Sequence, residues 1–350
     1  MMMRRGLIAF IAGALMLSAC GGGGEKEAAA AEKNKATTTT KPRPPVAPLT
    51  GVDDPGGVAA KRCAVTVKID NTQAGHPKYN VDLADIVYEE VVEGGITRLA
   101  AVFNSHNPDR VGPVRSVRKS DHLIVTPLKG VFAYSGGAPD SVASIQQAPV
   151  VRLDESAAGD AMFRDHSRNA PWNLYANVDR MYASCKDPAP GPQFTYRDPS
   201  EAVTTGTPVV SALVNFRAGF EVRWTWDPPS RTWKRRIFAE PEVTATGFQF
   251  APQNVVILFA PYTGGDPRPQ YFMYGAEAQL VGTGPLKVLT GGKLIEGTWS
   301  RANAASPTKL LDSAGNEIRL APGQTWVEIP EPSYTVDVEA APVAPTTVAP

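Results

Sequence analysis

The stretch Ala84–Asn104 constrains the chain most. Ile86–Glu93 and Ile96–Phe103 are rich in β-branched and aromatic residues and flank Gly94-Gly95. A two-residue loop that needs positive φ at both positions is well served by two glycines, so the stretch predicts a β-hairpin with a type I′ turn. In that register Glu93 faces Ile96, Val91 faces Arg98 and Glu90 faces Leu99. One sheet face carries Ile86, Tyr88, Val92, Leu99, Ala101 and Phe103, with Glu90 among them. The other carries Glu89, Val91, Glu93, Arg98 and Val102, and Arg98 sits diagonal to both Glu89 and Glu93, within reach of a long side chain.

Around the hairpin the pattern is mixed. Ala64–Asp70 reads as a strand, Ser116–Thr126 as a helix, Gly130–Tyr134 as a short strand, and Pro139–Gln147 and Asn173–Ser184 as helices. After residue 207 short strands follow one another: Pro208–Phe216, Phe220–Asp227, Arg231–Phe238, Val255–Ala260, Leu286–Thr290, Leu294–Trp299 and Thr325–Ile329. Such a run points to a small barrel or sandwich. With 31 glycines and 32 prolines the chain is also rich in turns. The expected fold is α+β: an N-terminal domain at 49–187, a linker at 188–207 and a mostly β domain at 208–335. The Pro- and Ala-rich end, 336–350, is expected to be a disordered tail.

The N-terminus reads as an address. Arg4 and Arg5 precede an uncharged apolar run, Gly6–Leu17, and Leu17-Ser18-Ala19-Cys20 follows. The run is too short to span a bilayer and fits a signal peptide at 1–19. The LSAC ending resembles the lipobox of bacterial lipoproteins, which implies a lipid anchor at Cys20 with two acyl chains, enough for stable attachment to the membrane. Residues 20–48 have almost no large apolar residue and read as a disordered tether. The expected location is therefore extracytoplasmic, on the membrane of the cell envelope.

Charge excludes one class of partner. Without the signal peptide, 33 basic residues stand against 35 acidic ones, and no basic field invites nucleic acid. Apart from Cys20 the cysteines are Cys63 and Cys185, which outside the cytoplasm form either one disulfide or two buried thiols. Four histidines without ligand-like spacing, and no CxxC, argue against a metal site of the structural zinc kind.

Four segments of the first domain stand out together: ADIVYEEVVEGGITRLAAVF (84–103), VGPVRSVR (111–118), AYSGGAP (133–139) and FRDHSRNAPWNLY (163–175). GKLIEGTW (292–299) and LAPGQTWVEI (320–329) follow in the second. This order resembles the YerB-like lipoproteins, a family with an N-terminal and a C-terminal domain of unknown function, over most of residues 48–330. The resemblance implies an envelope location and two domains. The family pattern carries a histidine after Ala-Pro in the fourth segment; Trp172 here argues against a catalytic histidine at that place.

The residues themselves point to an anion. Arg98, Arg115, Arg118, Arg164 and Arg168 recur in turn-rich segments, and guanidinium groups grip phosphate or carboxylate with two prongs. Ser135-Gly136-Gly137 offers backbone N–H groups that could cradle an oxyanion. The opposing reading is a set of ordinary salt bridges with neighbouring carboxylates such as Glu89, Glu93, Asp121, Asp140 and Asp165. Other carboxylates near the site are Asp70, Asp85 and Glu90; Glu90 on an apolar face would have a raised pKa, the mark of a general acid or base, or of a structural carboxylate. Ser135 lacks a GxSxG setting and a nearby histidine, which argues against a serine hydrolase. His122 and His166 read as surface residues or as supports behind a site.

Asp85, PVRSVR and AYSGGAPDSVASI in this order are also similar to the LytR-CpsA-Psr phosphotransferases. That resemblance implies phosphate on Arg115 and Arg118 and a divalent cation on Asp85, although Ser116 stands where an acidic residue is expected. Three functions thus compete. The first is a module that binds an anionic envelope ligand and needs no cofactor. The second is a metal-assisted phosphoryl or glycopolymer transferase. The third is a scaffold whose β domain binds a partner protein through Trp224, Trp226 and Trp233.

Overall fold

Val65–Asp70 (β1), Ile86–Val91 (β2) and Thr97–Phe103 (β3) are almost entirely buried along their lengths. Strands buried on both faces need a layer on each side, and the rest of the chain supplies them. The computed structural model describes residues 44–217, 219–265 and 273–342. The expected signal peptide, Cys20, the tether as far as residue 43 and the tail from residue 343 lie outside the described residues.

β2 and β3 form the hairpin, in a register one residue away from the expected one. Glu90 stands opposite Arg98, Glu89 opposite Leu99 and Val91 opposite Thr97. Val92 N–H donates to the Ile96 carbonyl at 2.8 Å, so the loop is Glu93-Gly94-Gly95 and not the two glycines alone. Gly94 and Gly95 take φ of 77° and 73°, the left-handed region that such a loop requires. A slip of one residue exchanges the faces of a strand. Arg98 therefore joins Glu90, while Leu99 and Ala101 join Glu89.

β1 lies antiparallel to β3 and parallel to Val131–Ala133 (β4), which pairs with Val151–Leu153 (β5). Met162–Arg164 (β6) and Leu174–Ala176 (β7) form a small hairpin. The helices of this half are short: Asp121–Val125 (α1), Pro139–Ile145 (α2), Glu155–Ala158 (α3) and Val178–Met181 (α4). Two expectations are corrected here. Residues 116–120 are not helical, because their neighbours' backbone groups are taken by other strands, as described below. The expected helix Asn173–Ser184 begins as β7 and becomes helical only at α4.

The C-terminal half is nearly all strand: Thr207–Arg217 (β8), Phe220–Asp227 (β9), Thr232–Ile237 (β10), Glu240–Pro241 (β11), Asn254–Leu258 (β12), Tyr262–Thr263 (β13), Glu277–Ala278 (β14), Gly282–Thr290 (β15), Lys293–Arg301 (β16), Lys309–Asp312 (β17), Thr325–Ile329 (β18) and Val336–Ala340 (β19). Pairing runs β10–β9–β8–β16–β15–β12. The N–H groups of Trp233 and Arg235 donate to the carbonyls of Pro252 and Phe250, just before β12. The strands thus close on themselves as a small barrel, with Trp224 and Trp233 fully buried.

β18 leaves the barrel to lie parallel to both β12 and β2, with Glu328 beside Glu89. One sheet therefore runs through both halves. The segment expected to be a linker is packed: Gln193, Phe194 and Arg197 are buried, and Arg197 N–H donates to the Leu320 carbonyl at 2.9 Å. Residues 44–48, expected in the tether, join the fold, since Ala47 N–H donates to the Val52 carbonyl at 2.8 Å. The expected tail begins instead as β19, antiparallel to β8.

Cys63, buried before β1, is disulfide-bonded to Cys185 across 122 residues. In the chain-entropy account a loop of that length stabilises by about 4–5 kcal/mol. Replacing both cysteines by serine is expected to lower the unfolding free energy by an amount of that order in guanidinium titrations. An unchanged midpoint would show that the bond contributes nothing.

Candidate functional site

On one face of the sheet, Asp70 of β1, Arg98 of β3 and Glu90 of β2 stand in a row across three neighbouring strands. All three are buried, and so is Lys68. A buried charge must be matched. Lys68 Nζ donates to Glu90 and, at 2.7 Å, to Asp121 Oδ1 at the start of α1. Arg98 Nη2 lies 3.6 Å from Asp70 Oδ2.

The VRSVR segment crosses this row as an extended strip. Asp70 N–H donates to the Pro113 carbonyl, Arg115 N–H to that of Lys68, Ser135 N–H to that of Arg115, and Val117 N–H to that of Gly136, all within 2.9–3.0 Å. These bonds commit the backbone that a helix from Ser116 would need. They bring Arg115 Nε to 2.8 Å from Asp70 Oδ2. Arg118 meets Glu93 at the hairpin tip: Nε donates to Oε2 at 2.7 Å and Nη2 to Oε1. Its Nη1 donates to the carbonyls of Ser116 and Val117.

Three of the five arginines thus come together. Arg98 has its pKa pulled down to about 10, first by burial and then, against the pull of Asp70, by the positive charges of Arg118 and Arg115. Beside them is a hollow of about 290 Å³ lined by Glu93, Ser116, Arg118, Gly137, Ala138 and Ser141, among others. Gly137 is required there, because a Cβ would lie 2.6 Å from Val117 Cγ1. Arg98 and Arg115 stand behind the hollow rather than on its wall, and Ser135 and Gly136 act through their backbone.

The other two arginines go elsewhere. Arg164 pairs with Glu155 and donates to Asn173. Arg168 donates to the carbonyls of Ala74, His76 and Pro77 and to the Tyr175 hydroxyl. It pins the loop whose Gly75 lies against Asp70.

Asp85, the cation ligand of the transferase reading, lies at the opposite end of β2 from Glu90. It accepts bonds from the N–H groups of Asn104 and Ser105 and from the Ser105 hydroxyl. Burial raises its pKa against those bonds. Among the described residues no group of three or more His, Cys, Asp or Glu is placed to hold a metal ion. The scaffold reading also loses its anchors: Trp224 and Trp233 are core, and Trp226 is half-buried against Trp233. His122 contacts Glu277 Oε1 at 2.6 Å, and His166 is exposed.

The opposite face of the hairpin holds a second buried network, which the sequence did not announce. Glu89 accepts from Asn71 and Thr97, from Trp326 Nε1 at 3.0 Å and from Arg235 Nη2 at 2.5 Å. Arg235, from β10, also donates to Glu242 at 2.7 Å, and Glu242 accepts from Lys78. Trp224 Nε1 donates to Glu328 at 2.8 Å. Burial and then the adjacent Glu89 push Glu328 well above the usual carboxylate range. Glu242 goes the other way: burial raises it, but Arg235 and Lys78 outweigh burial and hold it low. The one available signal was the crowding of Lys234, Arg235 and Arg236 in a strand that otherwise alternates.

The "Protein of unknown function (DUF3048)" N-terminal domain matches residues 49–190 and its C-terminal domain residues 212–327, so the chain belongs to the DUF3048 family. Among its relatives is the Putative lipoprotein YerB of Bacillus subtilis (strain 168), 25% identical over 300 residues, which cover 81% of this chain and 85% of that protein. A crystal structure of YerB from Bacillus subtilis superimposes with a TM-score of 0.71 at 22% identity, over 84% of this chain and 99% of that one. At that identity the likeness is one of fold. Among the described residues no helix is long and apolar enough to cross a membrane.

Two outcomes follow from the networks. Glu242→Ala leaves Arg235 and Lys78 buried without their shared partner and is expected to cost about 3–5 kcal/mol in urea unfolding; a loss under 1 kcal/mol would contradict the network. Asp121 has its pKa pushed up to about 6, by burial foremost and by Glu90, against the pull of Lys68. The native state therefore keeps this proton to a higher pH than the unfolded chain, where it leaves at about 3.9. Its favourable share is full below that value and is lost as pH rises towards 6. The stability difference between the parent and Asp121→Asn is expected to shrink over that window; a flat difference would contradict the assignment.

Proposed function

We propose that this chain is a lipid-anchored protein of the cell envelope that binds an anionic group, a phosphate or carboxylate, in the hollow beside Arg118. One observation carries the binding reading: three guanidinium groups, those of Arg98, Arg115 and Arg118, share two carboxylates, Asp70 and Glu93. Arg98 and Arg115 share Asp70, so one positive charge is left over behind the hollow, at whose edge Arg118 meets Glu93. Arg118 offers the contact, while Arg98 and Arg115 behind it supply field. Ser116 and Ser141 line the hollow and bring hydroxyl donors. A charge-assisted hydrogen bond contributes about 1.5–3 kcal/mol, so one anionic group binds modestly and a polymer bearing many would be held by avidity.

Envelope anchoring rests on the lipobox-like Leu17–Cys20 and on a relative that is itself described as a lipoprotein. The transferase reading needs Asp85 beside Arg115 and Arg118, and Asp85 lies at the far end of β2.

Calorimetric titration with inorganic phosphate and with an acidic polymer at low salt tests the reading. The parent is expected to bind, more weakly as salt rises, and Arg115→Ala and Arg118→Ala to lose the signal. Undiminished binding in both variants would remove the hollow from consideration.

A further inference from the structure

We infer that Glu93 is the built-in competitor of this site, and that the ligand is a carboxylate which takes its place on Arg118. The inference rests on the reading of the hollow as a binding site and adds to it the ligand's chemical class and the residue it displaces.

The guanidinium of Arg118 has two edges in use. Nη1 is spent on its own loop, donating to the carbonyls of Ser116 at 2.9 Å and Val117 at 3.1 Å. That fixes the plane of the group without help from Glu93. The other edge, Nε and Nη2, is the one that an anion can take, and Glu93 occupies it with both carboxylate oxygens. Two parallel bonds to this edge suit carboxylate and phosphate alike, and the group that the fold itself seats there is a carboxylate. The chain has thus placed in the hollow an example of the ligand that fits it.

The two partners are not held alike. Arg118 is anchored by its own backbone and its side chain is 17% exposed, whereas that of Glu93 is 35% exposed. Glu93 opens the hairpin loop, before two glycines in the left-handed region, and a Cβ at Gly94 would meet no atom within 4 Å. Swinging the Glu93 carboxylate aside therefore breaks one partly exposed ion pair beside an open loop tip. Arg98 and Arg115 remain behind with Asp70 as the carboxylate they share among the described residues, so the vacated edge faces more positive charge than before. Binding is then an exchange of one carboxylate for another.

Glu93→Gln removes the competitor's charge and keeps its size. A partly exposed pair is worth up to about 1 kcal/mol, so its loss should tighten binding roughly fivefold. The test is calorimetric titration of the full chain, its Glu93→Gln and Arg118→Ala variants and the double variant, with glutarate and with inorganic phosphate as probes. Thermal melts establish that each variant is folded. The expected result is a severalfold gain for glutarate in Glu93→Gln, a smaller gain for phosphate, and no binding once Arg118 is replaced in that background. If Glu93→Gln binds glutarate no better while Arg118→Ala still loses it, the competitor role is overturned and the binding site stands. An equal or larger gain for phosphate overturns the carboxylate assignment. If neither parent nor Glu93→Gln binds either probe, the site falls and the inference with it.

Discussion

β2 carries two consecutive glutamates, and both are buried because the strand is covered on both faces. Successive side chains point to opposite sides of a sheet, so each face of β2 needs a cation at its centre. On one side Lys68 answers Glu90, which draws in Asp121 and the start of α1. On the other Arg235 answers Glu89 from within the barrel and is held in turn by Glu242 and by the faces of Trp224 and Trp326. Arrangements of this kind add less to stability than well-packed hydrophobic residues would, but one broken partner is costly. They fix how each layer is seated on the central hairpin.

The same balance shapes the candidate site. Lys68, Arg98, Arg115 and Arg118 stand against Asp70, Glu90, Glu93 and Asp121, so the cluster as a whole is neutral. The excess is local, because Lys68 has two carboxylates while the three arginines share two. A neutral cluster can remain folded without its ligand, and the uneven split leaves a place where an anion is welcome. Glu93 keeps that place occupied in the free protein.

The hairpin was legible because strand periodicity and paired glycines agree. Its register was not, since Gly94-Gly95 suits a two-residue loop as well as a three-residue one that includes Glu93. That single ambiguity moved Arg98 from the company of Glu89 to that of Glu90. Local pattern also misplaced a helix at Ser116, where the Arg115 and Val117 N–H groups bond β1 and the Ser135–Gly136 turn, contacts that no local window displays. The convergence of Arg98, Arg115 and Arg118 was readable from their recurrence in turn-rich segments, but Arg164 and Arg168, equally recurrent, serve other loops. The Arg235 network was hidden because a basic strand reads as solvent-facing until the wall that covers it is known.

β18 is the seventieth part of the chain by length yet the seam of the whole, flanked on one side by β12 and on the other by β2, whose residues precede it by about 240 positions. A ribosome delivers β2 long before β18. Until residue 329 has emerged, the hairpin presents an unsatisfied margin, and an open margin of that kind invites pairing with the wrong chain. Long-range parallel pairing is also slow to form. Synthesis of this protein therefore includes an interval in which its central strand must be shielded from its neighbours.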